Sequence, residues 1–372
     1  MPSTHSLSIG ANGVAVRQRR LEQEKEDKPN VANVIQSKRT FVIAEAGVNH
    51  NGSVEMAIGL VGSAKAAGAD AVKFQDFRAD RLVTRSATKA AYQEATVPGG
   101  EGQYAMLQEL ELTPDDFKVI REHCLSTDIE FMASPFDERA ADRLVSLGMR
   151  IIKIGSGEIT NLPFLAHIAS LRRPIILSTG MSWLGEVETA LRTLRRAGAD
   201  DITLLHCVTE YPAPAAQINL RAMHTLAESF GLPVGYSDHT AGTEIAVAAT
   251  ALGATVIEKH LTLDRSLPGP DHKASLGPKE FAHMVAAIRN VEQALGTGRK
   301  EPAPCEIPNI LVARKSLVTA RDLKAGQRIQ PDDVVVKRPG SGILPSDLQL
   351  VVGRLVAEDI AADQVIQWSN LA

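Results

Sequence analysis

Cysteine is scarce in this chain: Cys124, Cys207 and Cys305 stand far apart in 372 residues. An odd number with no Cys-x-x-Cys spacing excludes a disulfide framework or a thiolate metal site, and favours a reducing, cytoplasmic compartment. An excess of positive charge is lacking too. Lys and Arg total 40 against 44 Asp and Glu, a net charge of -4, and the body of the chain has no basic block. Non-specific binding to nucleic acid needs a basic face, so nucleic acid is not expected as a partner. No apolar run approaches the ~20 residues of a membrane span, so no membrane partner is expected either. Residues 1–39 are polar, carry the charged run Arg17–Lys28, and lack the apolar core of a signal peptide. They are expected to form a mobile tail, the alternative being a targeting arm.

What is present is ordinary for a large globular protein: 44% hydrophobic and 23% charged residues, enough for two domains. From residue 40 to 298 one unit recurs, a short β-rich run, a turn and an amphipathic helical stretch. The β-runs are Phe41–Gly47, Ala71–Gln75, Glu130–Phe136, Arg150–Ser156, Pro174–Gly180, Ile202–Cys207, Pro233–Asp238 and Val256–Leu261. They are mostly apolar rather than alternating, as parallel strands covered on both faces are. Eight such units predict an α/β fold, a (β/α)8 TIM barrel, with an open doubly wound sheet as the alternative. The connection after the second strand is long and polar over Arg78–Tyr104, and would lie on the catalytic face as a lid candidate.

Beyond the barrel, 299–313 read as a linker because of Pro302, Pro304 and Pro308. Residues 314–372 read as a small β-rich domain. A weak repeat pairs Asp322–Gln330 with Asp359–Gln367, which predicts pseudo-symmetry.

The strand ends collect the ionisable groups. In chain order they give Glu45; Lys73 and Gln75; Ser134; Lys153, Ser156 and Glu158; Ser178; His206; Asp238 and His239; then Glu258 and His260. In a barrel these converge on one mouth. Adjacent strands lie about 4.8 Å apart, so His239 and His260 could share a labile divalent ion such as Mn²⁺ or Mg²⁺, or each could be a hydrogen-bonded barrel residue. Lys73, Lys153, Gln75, Ser134, Ser156 and Ser178 suit a phosphate and a carboxylate. Two alternatives stay open: one lysine is a Schiff-base nucleophile, or both are merely ion-paired. Glu45 and Glu158 suit acid–base work, sugar hydroxyls, or salt bridges to those lysines.

The strings AEAGVNHNG, VKFQ, ASPFD, KIGSGEITN, IILSTGM, HCVTEYPAP, YSDHT, IEKHLTLDR and PGPDH occur in order, followed by ARKSLV, DLKAGQRI and VKRPGSGI. From about residue 41 to 370 the chain resembles the sialic acid synthase family, a TIM barrel with a C-terminal antifreeze-like (SAF) domain. The resemblance implies condensation of phosphoenolpyruvate with an N-acylated amino sugar. The acceptor it implies first is N-acetylmannosamine, giving N-acetylneuraminate. The alternative is a 2,4-diacetamido-dideoxy hexose, as in legionaminic acid synthases. A deoxyoctulosonate-type condensation and a non-catalytic carbohydrate-binding protein are lesser readings. By resemblance, His239 and His260 match metal ligands, and Lys73, Gln75, Ser134, Lys153, Ser156 and Ser178 match the phosphoenolpyruvate site. Glu45, Tyr211, Glu258 and Asp271 match groups near the sugar, and Glu158 belongs to the same cluster. Arg338 matches an arginine that one subunit inserts into the other's barrel, which implies a domain-swapped homodimer. Glu45, Glu158, Glu258 and Arg338 are the expected catalytic set. Thr209 departs from members with Asn there, and its TEYP string also resembles legionaminic acid synthases. The stretch Lys89–Gln93 (KAAYQ) resembles a family segment and is expected to contact substrate.

Overall fold

The computed structural model describes residues 39–99 and 102–372, so the expected N-terminal tail lies almost wholly outside the described residues. The described residues divide into two compact units, the first ending at Gly296 and the second spanning Thr297–Ala372.

Eight parallel strands form the first unit: β1 (Phe41–Gly47), β2 (Ala71–Asp76), β3 (Glu130–Pro135), β4 (Ile152–Ile154), β5 (Ile175–Ser178), β6 (Ile202–Cys207), β7 (Val234–Asp238) and β8 (Val256–His260). Their hydrogen-bonded order is β3-β2-β1-β8-β7-β6-β5-β4, and β3 packs beside β4 to close the barrel. Helices intervene, among them α1 (Val54–Ala66), whose N-cap Ser53 accepts from Met56 N. That bond satisfies one of the helix's free first-turn amides. No helix among the described residues is long and apolar enough to cross a membrane.

The strands alternate between two surroundings. One set of side chains packs outward against the helices, as Val42, Ala44, Val72 and Phe74 do. The other set fills the barrel: Phe41, Ile43, Ala71, Met132, Ile151, Ile176, Leu205 and Val256 make an apolar floor. Two residues further along each strand, the same inward face becomes polar. On β7 the floor position is Gly235, because a Cβ there would collide with the Val256 carbonyl and the Leu205 side chain.

The long connection after β2 folds into short helices α2 (Ala79–Leu82), α3 (Ala91–Thr96) and α4 (Gly102–Glu109), before α5 (Pro114–Ser126). Lys89 holds the first part of this excursion together: its Nζ donates to the carbonyls of Val97, at 2.8 Å, and Gly99. Met106, Leu107 and Leu110 pack with Val48 and Phe77 in a satellite apolar cluster.

In the second unit β9 (Ser316–Thr319) and β10 (Val334–Lys337) pair antiparallel around Leu317, Leu323, Ile329, Val356 and Ile366. The two repeats face each other. Leu323 and Ile360, equivalent positions, exchange both backbone hydrogen bonds. Asp322 accepts from Ala362 N at 2.7 Å and Asp359 from Ala325 N at 2.9 Å, as local twofold symmetry requires. Within the expected linker, residues 307–313 form a helix instead. Pro308 does not prevent it, because a proline in the first turn has no intrahelical donor to lose.

Candidate active site

Each inward strand ends on a functional group. Glu45 pairs in register with Lys73 on one side and His260 on the other. Gln75 sits beside Ser134, and Ser237 beside Glu258. Together they enclose a cavity of about 220 Å³, lined among others by Glu45, Lys73, Ser134, Lys153, Ser156, Ser178, Tyr211, His239, Glu258 and Asp271.

The cavity floor is a charge network. Lys73 Nζ lies 2.8 Å from Glu45 Oε2 and 3.7 Å from Glu258 Oε2. Lys153 Nζ lies 3.6 Å from Glu258 Oε1. Each lysine also donates to a serine, Lys73 to Ser134 at 3.2 Å and Lys153 to Ser178 at 2.8 Å. Burial pushes Glu45 up and Glu258 adds to this, with Lys73 opposing but not cancelling it. Burial also pushes Glu258 up, but Lys153 and Lys73 outweigh it and hold this carboxyl below the usual range. The lysines diverge likewise. Burial lowers Lys153, whereas for Lys73 two carboxylates outweigh burial and raise it. Two carboxyls with divergent affinities for a proton are the usual signature of an acid–base site.

Ser156 Oγ accepts from Gly180 N at 2.9 Å and so ties the β4 loop to the β5 loop. A Cβ at Gly155 or Gly157 would meet nothing within 4 Å, so the backbone there borders open space that an anion can approach.

His239 and His260 stand with ring centroids 5.4 Å apart. His239 Nδ1 donates to Val208 O at 2.7 Å, which fixes the tautomer and leaves Nε2 as a lone-pair donor. His260 Nδ1 is buried without a hydrogen-bond partner, 3.7 Å from Asp271 Oδ2. Burial, then His239, drive His260 well below its ordinary value, so it is neutral. Among the described residues no group of three or more His, Cys, Asp or Glu is arranged around one point. Burial lowers His239 too, but Cys207 outweighs it and raises this ring above its ordinary value, so His239 must give up its Nε2 proton before that nitrogen can bind a metal. Two imidazoles at this spacing, once His239 is deprotonated, fit one divalent ion at roughly 2.1 Å bonds, the other positions going to water or substrate. Asp271 is pushed up to about 6 by burial and by Glu45. Tyr211 stacks 4.2 Å from His239.

Glu158 is not among the residues that line this cavity. It sits on a 3-10 turn after β4, next to the lining residues Ser156 and Gly157, and accepts from Asn161 Nδ2 at 2.8 Å. Arg338 is exposed in the second unit, directly after β10. His206 donates to or accepts at Ile218 O, 2.6 Å away, and since a carbonyl only accepts, the ring donates. It is a loop anchor.

Three groups escaped the sequence reading. Cys207 and Ser237 line the cavity by strand parity, the same period of two that places Lys153 and Glu258. Lys259, between Glu258 and His260, points to the opposite face and is fully buried. It donates to Asp238 at 2.8 Å and to Thr240 O at 2.6 Å, so Asp238 belongs to the wall and not to the mouth. Lys259→Met leaves the Asp238 carboxylate buried without its counter-charge, held only by Thr240 N and Oγ1. It should cost about 3–5 kcal/mol of stability, read as a lower denaturant midpoint; an unchanged midpoint would refute the wall assignment.

The match to the NeuB family model spans residues 60–300, and a SAF domain model matches 314–372. N,N'-diacetyllegionaminic acid synthase of Legionella pneumophila is 47% identical over 339 residues, covering 90% of this chain and 95% of that protein. The enzyme of the same name from Campylobacter jejuni is 47% identical over 332 residues, covering 89% and 99%. The crystal structure of N-acetylneuraminic acid synthetase from Leptospira borgpetersenii superposes with a TM-score of 0.65 at 34% identity, covering 73% of this chain and 90% of that one. Barrel, tail and sequence agree: this chain belongs to the NeuB family and carries a C-terminal SAF domain.

Proposed function

We propose that this protein condenses phosphoenolpyruvate with a 2,4-diacetamido-dideoxy hexose, releasing phosphate, as an N,N'-diacetyllegionaminic acid synthase. The observation that carries it is a cavity at the barrel mouth lined by two lysines, two serines and His239, with the His260 ring 5.4 Å from that of His239. The choice of acceptor rests on the two relatives at 47% identity, both diacetyllegionaminic acid synthases. N-acetylneuraminate-9-phosphate synthases stand lower, at 33–35%. This reverses the order of acceptors read from the sequence.

Lys73, Lys153, Ser134 and Ser178 hold the phosphate and carboxylate, as charge-assisted donors do. Holding both substrates in one cavity makes their encounter effectively unimolecular. The C3 carbon of phosphoenolpyruvate forms a bond to the aldehyde carbon, and the aldehyde oxygen takes up a proton. Glu45, the carboxyl with the raised proton affinity, is placed to hold that proton; Glu258 stays ionised against both lysines. Water adds at C2, the C2–O bond to phosphate breaks, and a 2-keto acid remains. A divalent ion on His239 and His260 would supply a Lewis acid for the aldehyde oxygen.

A phosphate-release assay across a panel of amino sugars, with product mass, tests the reading. The diacetamido hexose should be consumed fastest; turnover confined to N-acetylmannosamine would restore the other acceptor, and no phosphate with any sugar would sink the assignment. The reading also places Arg338 of a second copy at the acceptor, in a domain-swapped homodimer. Arg338→Ala mixed with Lys153→Ala should then regain activity that neither variant has alone; a mixture as inactive as its parts refutes the swap.

A further inference from the structure

The cavity has two unlike halves. The half bounded by the strand ends is charged. The other half is built by the excursion after β2 and by loop residues beside it: Val48, Met106, Leu107, Leu110 and Phe136, which are apolar, with Gln93 as a polar member. Tyr92 of α3 stands at the edge of that half. Its ring centroid is 4.9 Å from Tyr211 at an interplanar angle of 36°, and Tyr211 is 4.2 Å from His239 at 34°. The three rings make one continuous aromatic wall leading away from the histidines, in the same cavity as the apolar residues. Tyr92 is not there by strand register. Lys89 clips its segment by donating to Val97 and Gly99, and Gln93 caps its helix by accepting from Ala90 N at 3.0 Å.

We propose that Tyr92 is a specificity-determining residue that selects acceptors whose end remote from the aldehyde is apolar, bearing an acylamino group and a terminal methyl instead of hydroxyls. The inference rests on the condensation reading above, with the aldehyde at His239 and His260. From there an open-chain hexose runs along the Tyr211 face, and its distal carbons reach Tyr92 and the apolar lining. An acetyl methyl or a deoxy carbon packs against aromatic faces without losing hydrogen bonds. Free hydroxyls at the same place lose water and find no donor or acceptor among Val48, Met106, Leu107, Leu110 and Phe136; the polar side chain of that segment, Gln93, already has its Oε1 occupied by Ala90 N and Gln103 Nε2, and this is how a pocket of this kind discriminates.

The test uses the full-length protein with phosphoenolpyruvate and Mn²⁺, and measures kcat/KM by phosphate release for 2,4-diacetamido-2,4,6-trideoxymannose and for N-acetylmannosamine. Tyr92→Ala should lower the ratio of the two by roughly tenfold, chiefly through KM for the diacetamido sugar, with KM for phosphoenolpyruvate unchanged. Tyr92→Phe, which keeps the ring, should keep the ratio. An unchanged ratio in Tyr92→Ala, or an equal fall for both sugars with a raised KM for phosphoenolpyruvate, overturns the proposal and leaves the function intact. If Tyr92→Ala does not fold, Tyr92→Leu is read by the same ratio. A wild-type protein inert on both sugars removes the functional reading and this inference together.

Discussion

Lys153→Ala is expected to lower kcat/KM for phosphoenolpyruvate by roughly 100- to 1,000-fold, the scale of losing one preorganised donor in a water-poor site. The side chain is buried, contacts Ser178 and Glu258, and has no surface role to lose. Its removal takes away one of the two ammonium groups that face the anion and leaves Glu258 to Lys73 alone. Arginine should not rescue it, since a planar fork does not fit where a compact point charge sits between Ser178 and the Ile154 carbonyl. Steady-state kinetics with phosphate detection measures the effect. The same residue decides between two chemistries, because burial lowers Lys153 in the direction that a Schiff-base lysine needs. Borohydride added during turnover should trap no adduct; a covalent adduct on Lys153 would replace anion binding with imine formation.

His239→Ala is the second large effect. Of the two facing histidines it removes the one whose tautomer is fixed by a backbone carbonyl, and with it one of the two proposed metal donors. Mn²⁺ affinity, followed by electron paramagnetic resonance without any substrate, should weaken by more than the 10- to 100-fold that is typical of losing an outer-shell partner. Turnover should fall to background. Wild-type turnover that survives thorough chelation would refute the metal role outright, whatever the variant does.

The barrel was legible because eight apolar runs separated by helical stretches leave few other folds, and all eight appear as strands. The mouth was legible because polar residues recur at one end of those runs. Parity within each run was harder to see. In Val256–His260 both neighbours of Lys259 face inward while Lys259 faces the helices, and a strand buried on both faces shows no alternation to reveal this. The same blindness hid Cys207 and Ser237 and put Asp238 at the mouth. The β4 strand ends at Ile154, and Glu158 follows on a 3-10 turn whose backbone the strand period does not describe. Tyr92 reaches the site from a helix in a long connection, by a ring contact with a residue 119 positions away (Tyr211); the resemblance of Lys89–Gln93 pointed to its segment, but no periodicity encodes the contact.

The most direct measurement is anomalous diffraction from crystals grown with Mn²⁺ and phosphoenolpyruvate. The account predicts a single anomalous peak between His239 and His260, with the phosphate and carboxylate oxygens against Lys73, Lys153, Ser134 and Ser178. A manganese peak elsewhere, or phosphoenolpyruvate bound away from those lysines, would contradict it.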